Sequence, residues 1–424
     1  MITHPILSAA ATHGVRLGLE RLADFFGTLG HPERAFPAVH VAGTNGKGSV
    51  TRMVAAVFDA AGRRAGLTIS PHLERVNERV VVGGVEISDA DLDATLRALD
   101  AARAAWAAGH GPVLPADRAL TYFELTTAAA FVWFAQQKVE VAAVEVGLGG
   151  RLDATNLVRP VSTAIVSIGL DHMEQLGPDE PSIAREKAGI FKPGVPAILG
   201  PLRPAARAVA AAIAAERGCP LWEPGGTYTV VPQPDGTFDW HGPGGSLHGL
   251  RTRLAGAHQV DNAGVAVALL RALPDALRPP DDAIRAGLAA ATNPGRLERL
   301  GPRLLVDCAH NADGAAVLAD WLRATPPPPG GRTLLIGVSA DKDLAAIAPA
   351  IAPHVDRVFT TACAHPRALD PVALQARLAA LGIPAAALGP IEDALPAALD
   401  APGEVLVAGS VFLAGAVRTL VGAT

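Results

Sequence analysis

The chain has 424 residues, half of them apolar and 18% charged, with a formal net charge of −5. This excludes a disordered chain, and the lack of any long Lys/Arg run excludes a nucleic-acid surface or a patch for anionic membranes. Three cysteines without C-x-x-C spacing, Cys219, Cys308 and Cys363, exclude a disulfide framework and a structural zinc site. No secretory start is present, and the longest apolar stretch, 128–135, stops at Gln136 and reads as a buried helix. The expected place is a reducing cytoplasm, and the length predicts two domains.

In chain order, the first element is a strand over 36–42, which runs into HVAGTNGKGSV at 40–50 and then into a helix. Gly43, Gly46 and Gly48 let backbone N–H groups approach a polyphosphate, Lys47 meets the terminal phosphates, and the helix N-terminus favours the same anion. The strict G-x-x-x-x-G-K-[ST] spacing is not met. Val41 stands six residues before Lys47, and the nearest following hydroxyl is Ser49. The helix proper is expected at 53–60, because Val50 and Thr51 are β-branched.

Residues 68–80, TISPHLERVNERV, follow neither a strand nor a helix period and read as an ordered functional loop. Helices are predicted over 92–107 and 122–134. Tyr122, Phe123 and Glu124 at the start of the second offer an aromatic wall and a polar handle to a planar ligand. A buried strand over 139–146 ends in VEVGLGGRLDATN, which brings Glu145 to the ligand side of a parallel sheet. There it is a sensible Mg²⁺ ligand or, read blandly, a partner for Arg151. A strand over 161–168 delivers Asp171 and His172. Arg185, Glu186, Lys187 and Lys192 then surround a helix end that reads equally well as an exposed charged turn.

A strand over 195–199 and a helix over 204–215 follow. Residues 232–249, rich in Pro and Gly, read as a turn or hairpin excursion on the surface, and 258–270 as a helix. The clearest break is Asn293-Pro294-Gly295. Beyond it strands resume at 304–307, 333–338, 358–361 and 404–408, with a stiff loop at 326–329. The alternation predicts an α/β fold with a doubly wound, mostly parallel sheet in a first domain (1–295) and a second, smaller α/β domain (296–424).

GTNGKGS, SPHLERVNERV, TYFE, EVGLGGRLDATN, LDHMEQLGP, REKAGIFKPG, PGRLE and DCAHN occur here in one order. Together they resemble the folylpolyglutamate synthase and dihydrofolate synthase family, relatives of the Mur peptide ligases, whose own loop spacing is the irregular one noted above. The resemblance implies a Mur ligase-like ATP-binding domain with the pterin site, followed by a glutamate-binding domain. It also implies an ATP-dependent ligase that joins L-glutamate to dihydropteroate or a reduced folate through an acyl phosphate, working as a monomer without nucleic-acid or membrane partners.

Carried over by residue, Gly43, Thr44, Asn45, Gly46, Lys47, Gly48 and Ser49 hold the phosphates, with Asn262, Arg296 and Asp307 completing the ATP site. Ser70, Glu145 and His172 match the Mg²⁺ ligands, and Lys187 matches a lysine carbamylated in relatives. His310 and Ser410 match positions near the incoming glutamate, and Lys47, Lys187 and His310 are the catalytic set. The pterin side uses Thr121, Tyr122, Phe123, Glu124, Leu152, Asp153 and Ala154 with Arg16, Leu17 and Gly18. Arg16 departs from the acidic residue of some bifunctional relatives. A polyglutamylating enzyme without the first activity, a Mur-type peptide ligase and a nucleotide switch are the alternatives.

Overall fold

A computed structural model describes residues 4–14, 16–109 and 119–422. The chain forms two compact units. The first comprises the described residues up to Arg253 together with Gln259–Thr292, and the second comprises Leu254–His258 and the described residues from Asn293 on.

The first unit is an α/β unit built on eight strands: β1 Ala38–Ala42, β2 Ala65–Thr68, β3 Val81–Val82, β4 Val85–Glu86, β5 Val141–Glu145, β6 Pro160–Ile165, β7 Ala197–Leu199 and β8 Leu221–Trp222. Their order is β4-β3-β2-β5-β1-β6-β7-β8, with β3 antiparallel to both β2 and β4 and every other pair parallel. Every residue of β1 and β5 is buried, as befits strands covered on both faces. Phe25, Phe26, Phe36, Phe131 and Phe134 pack in one hydrophobic cluster, and Ile183, Ile190 and Phe191 in another. The apolar run 128–135 lies in the helix Tyr122–Gln136, where Ala128 to Phe131 are at most 1% exposed. No helix among the described residues is long and apolar enough to cross a membrane.

Three expectations change. The helix after β1 starts at Lys47, not near Met53, because Gly46 caps it in a left-handed conformation and burial of Val50 and Thr51 outweighs their weak propensity. The strand expected over 161–168 ends at Ile165, since residues beyond it leave the ladder to hold the β1 loop. The excursion at 232–249 is a three-stranded antiparallel sheet of β9 Thr229–Pro232, β10 Phe238–Gly242 and β11 Gly245–Leu250. Its inner face is anchored by the fully buried Trp240, whose indole N–H donates to Gly264 O at 3.2 Å in the helix His258–Arg271.

The second unit holds β12 Glu298–Arg299, β13 Leu304–Val306, β14 Arg332–Ile336, β15 Arg357–Ala362, β16 Ala386–Pro390 and β17 Glu404–Ala408, in the order β12-β13-β17-β14-β15-β16. Only β12 runs antiparallel to its neighbour. Inside this sheet Arg332 Nε donates to Glu404 Oε2 at 2.6 Å, both side chains almost wholly buried. β16 has no signal in the sequence, because AALGP carries two residues that disfavour strands.

Candidate active site

β1 is flanked by β5 on one side and β6 on the other, so the crevice past its carboxyl end is where a doubly wound sheet binds ligands. Gly46, at φ +81°, turns the chain there into the helix Lys47–Ala60. A Cβ at this position would lie 2.6 Å from Asn262 Oδ1 and 2.8 Å from Val166 Cγ1, so both the backbone angle and the space call for glycine. Neighbouring backbone holds the rest of the loop. Thr44 N donates to Ser167 O at 2.9 Å, and Thr44 Oγ1 donates to Gly169 O at 3.1 Å while accepting from Gly169 N at 3.0 Å. The Ser167 hydroxyl accepts from Asn45 N at 2.9 Å and donates to Asn45 O at 2.8 Å. Lys47 Nζ caps Thr44 O at 3.1 Å, and Asn262 is held by Gln259 at 3.0 Å. Gly48 and Ser49 lie in the first helical turn, the end of a helix that favours an anion.

Glu145 ends β5, and Ser70 lies just past the end of the adjacent β2. Ser70 N donates to Glu145 Oε2 at 3.1 Å. With Arg79, Phe123, Thr126 and Thr155 they line one cavity. Ser70 Oγ is buried without any hydrogen-bond partner, which is costly unless something outside the chain binds it. A hard divalent cation takes oxygen ligands of this kind, and the carboxylate supplies the charge. His172, in the left-handed conformation at φ 54°, lies outside that lining, its Nε2 4.0 Å from Asp171 Oδ1. The alternative pairing of Glu145 with Arg151 does not form, because Arg151 is taken by Glu186 at 2.9 Å on the surface.

Arg79, which the sequence did not mark as a site residue, is buried against this cavity, with its guanidinium 5.5 Å from the centre of the Tyr122 ring. Its Nε donates to His72 Nδ1 at 2.9 Å. Burial, reinforced by the Arg79 charge, pushes His72 down to about 3, so the imidazole is neutral and fit to accept that bond. In the sequence Arg79 stands only inside the aperiodic SPHLERVNERV segment, with no role of its own.

Lys187 corrects the reading of an exposed charged turn. It ends the helix Glu180–Lys187 on the same buried face as Ile183 and Ala184, and its Nζ donates to Gly43 O at 2.9 Å. Burial, and then the nearby Lys47, lowers it to about 7, while Asp171 and Asp153 pull the other way. The turn after it is tight because a Cβ on Gly189 would strike Arg151 Cβ at 2.3 Å.

On the proposed pterin side, Thr121 and Glu124 form a capping box. Thr121 Oγ1 accepts from Glu124 N at 3.2 Å, and Glu124 Oε2 accepts from Thr121 N at 2.8 Å. Glu124 Oε1 also accepts from Arg21 Nη2 at 2.6 Å. The polar handle expected of Glu124 is therefore spent on the fold, since a buried carboxylate is stable only when fully paired. Asp153 is likewise internal, accepting from Leu148 N at 2.8 Å, Thr155 N at 3.0 Å and Thr155 Oγ1 at 2.5 Å. Gly18 N donates to Leu152 O at 3.5 Å, which joins the segment of Arg16 and Leu17 to that of Leu152 and Ala154. Phe123 packs so closely on Gly147 that a Cβ there would lie 2.4 Å from its ring.

In the second unit, Asp307 leaves the end of β13, one residue short of the predicted strand end. Its Oδ2 accepts from Leu297 N at 2.9 Å and its Oδ1 from Ala309 N at 2.8 Å. Burial raises its carboxyl, and the Arg296 guanidinium opposes that rise. Leu297 takes a left-handed φ of 46°, so Asp307 fixes an uncommon turn next to Arg296. His310 Nδ1 is 2.8 Å from Cys308 O, which places the proton of the neutral ring on Nδ1. Ser410 caps the helix Val411–Val421 and lines a separate cavity with Ser339, His365 and Phe412. His365 stacks on Phe412 at 3.8 Å, a contact between residues distant in sequence that no local pattern announced.

Residues 41–270 match the Mur ligase middle domain, and 295–411 match the Mur ligase glutamate ligase domain. The dihydrofolate synthase/folylpolyglutamate synthase of Mycobacterium tuberculosis is 36% identical, over 95% of this chain and 90% of that protein. The chain belongs to the dihydrofolate synthase/folylpolyglutamate synthase family of Mur ligases. Escherichia coli FolC in complex with DHPP and ADP superposes with a TM-score of 0.87 at 35% identity, covering 98% of this chain and 96% of that one. The Yersinia pestis bifunctional folylpolyglutamate synthase/dihydrofolate synthase complexed with AMPPNP and Mn gives a TM-score of 0.85 at 32% identity, covering 99% and 98%.

Proposed function

We propose that this ligase joins L-glutamate to dihydropteroate and then extends reduced folates with further glutamates, using ATP to activate the acceptor carboxylate. The observation that carries the reading is the loop from Gly43 to Lys47, braced by Ser167 and Gly169. A carboxylate is a poor electrophile. Transfer of the terminal phosphoryl group to it, with loss of ADP, gives an acyl phosphate that the amine of glutamate attacks, releasing phosphate. Placing and neutralising charge supply most of the acceleration in such a transfer.

In this reading Thr44 to Ser49 cradle the phosphates, Lys47 neutralises charge building on the transferred group, and Asn262 buttresses Gly46. Arg296, oriented by Asp307, is assigned to the nucleotide, and His310 and Ser410 to the incoming glutamate. Ser70 and Glu145, joined by His172, hold Mg²⁺, which when bound shields phosphate charge. The pterin lies by Tyr122, Phe123 and the segments of Arg16 to Gly18 and Leu152 to Ala154, while Thr121, Glu124 and Asp153 position them.

A lysine lowered to about 7 holds a large neutral fraction at neutral pH. Its amine can add to CO₂ and lose a proton, converting a cation beside Lys47 into a carbamate anion. We assign Lys187 that modification and place the enzyme in the cytoplasm as a monomer. The test is ADP release with dihydropteroate or tetrahydrofolate offered in turn, each with and without glutamate. Release that needs both acceptor and glutamate supports the reading, and activity with tetrahydrofolate alone leaves the polyglutamylating half. ADP release indifferent to glutamate overturns it.

A further inference from the structure

The ligase reading leaves the outer face of the β9–β11 sheet without a role. We propose that Asp239, His241 and His248 on that face form a site for a borderline-soft divalent cation, Zn²⁺ foremost. One ligand atom from each of the three lies within 4.8 Å of the other two. The backbone brings them together by a specific device. In β10, Phe238 and Trp240 point into the core, so Asp239 and His241 point out. In β11, Ser246 pairs with His241 and Leu247 with Trp240, but the register then slips and Leu250 pairs with Phe238. His248 and Gly249 thus both lie opposite Asp239, as in a β-bulge. The extra residue lets Leu250 stay buried while His248 stays outside with Asp239 and His241.

The chemistry of the three groups fits the ion. Asp239 Oδ2 and His248 Nδ1 are 3.1 Å apart. Two ligands of a tetrahedral Zn²⁺, each bonded at about 2.0 Å, stand about 3.3 Å apart. The two imidazole rings lie 5.3 Å apart at a steep angle, and His241 Nδ1 is 2.8 Å from Ser246 Oγ, leaving Nε2 as its ligand atom. Gly249 N donates to Asp239 Oδ1 at 2.8 Å and Gln233 Nε2 to Oδ2 at 3.1 Å, outer contacts of the kind that orient a metal-binding carboxylate. Two imidazoles select Zn²⁺, Ni²⁺ or Cu²⁺ over Mg²⁺, so the site is chemically distinct from the oxygen-rich cavity of Ser70 and Glu145. Bound there, the ion clips β10 to β11.

The test uses the full-length chain, stripped with a chelator and kept in excess Mg²⁺ to saturate hard-cation sites. Zn²⁺ is titrated against a chromophoric chelator, and Co²⁺ binding is followed by visible absorption. One tight Zn²⁺ per chain is expected, with at least about a tenfold loss of affinity in His248→Ala and in His241→Ala, since losing a ligand costs no less than losing an outer contact. Ser70→Ala should bind Zn²⁺ like the wild type. Circular dichroism checks that the variants are folded, which their outward-facing side chains favour. Zn²⁺ affinity equal in wild type and His248→Ala, or a Co²⁺ spectrum that never departs from the free ion, overturns the site.

Discussion

The loop after β1 and the loop after β13 each leave a buried parallel strand to present functional groups, but they are held in different ways. The first is held by neutral groups: the hydroxyls of Thr44 and Ser167 and the backbone of residues 167–169 close four short bonds around a glycine turn. The second hangs on one charged group, since Asp307 alone satisfies Leu297 N and Ala309 N beside Arg296. A loop proposed to take polyanions gains from a cation nearby, and Lys47 is directed at its Thr44 carbonyl. A loop that presents an arginine gains from a buried carboxylate that offsets it. Similar strand-end geometry has therefore been built with opposite charge.

The largest break in that comparison is Lys47→Ala. It should lower ligation by about 10²–10³-fold or more, because a positioned cation at the developing charge is lost. Thermal melting should barely change, since Lys47 caps a single carbonyl and holds no core. Wild-type turnover would remove the first loop from catalysis.

Lys187→Met comes next and gives a pH signature. Lys187 stands near 7 in the folded protein against 10.5 for the free side chain, so between those values the unfolded chain carries the extra proton. Wild-type stability should therefore rise with pH from about 7 to about 10.5 relative to the variant, by at most about 1.4 kcal/mol per pH unit. Below about 7 the charge is buried in the folded state and the wild type bears the full cost. Urea titrations in CO₂-free buffer measure this, and parallel curves would contradict a buried amine. Added bicarbonate should raise wild-type activity and leave the variant unchanged.

Ser70→Ala and Glu145→Gln should each shift the divalent-metal titration of activity to higher concentration by about tenfold or more. Without metal, Ser70→Ala should melt no lower than wild type, because its Oγ makes no hydrogen bond to lose. An unmoved titration for both variants would return the pair to a structural role.

A last pair of variants compares the two loops directly. Asp307→Ala strands two backbone donors and loses charge-assisted bonds, at about 3 kcal/mol or more, whereas Ser167→Ala should cost about 1–2 kcal/mol for two neutral ones. Equal losses in chemical denaturation would show that the charge of Asp307 does not matter to its loop.

The alternation of apolar strands with helices was legible in the sequence, because sheets buried on both faces need continuous apolar runs such as β1 and β5. So was the glycine turn after β1, because glycine marks a backbone conformation that other residues avoid. The extent of the elements was less legible. The strand predicted over 161–168 stops at Ile165, and the helix begins at Lys47, because side-chain bonds and burial outweighed local propensity. Tertiary structure alone decided what the charged residues do: spacing cannot tell the buried Lys187 under Gly43 from the surface pair of Arg151 and Glu186 beside it. Nor does sequence show that Glu124 is spent on Arg21, that Arg79 lines the cavity, or that a register slip sets His248 beside Asp239. Local pattern records the conformations a segment prefers, but the protonation and partners of a side chain depend on groups brought to it from across the fold.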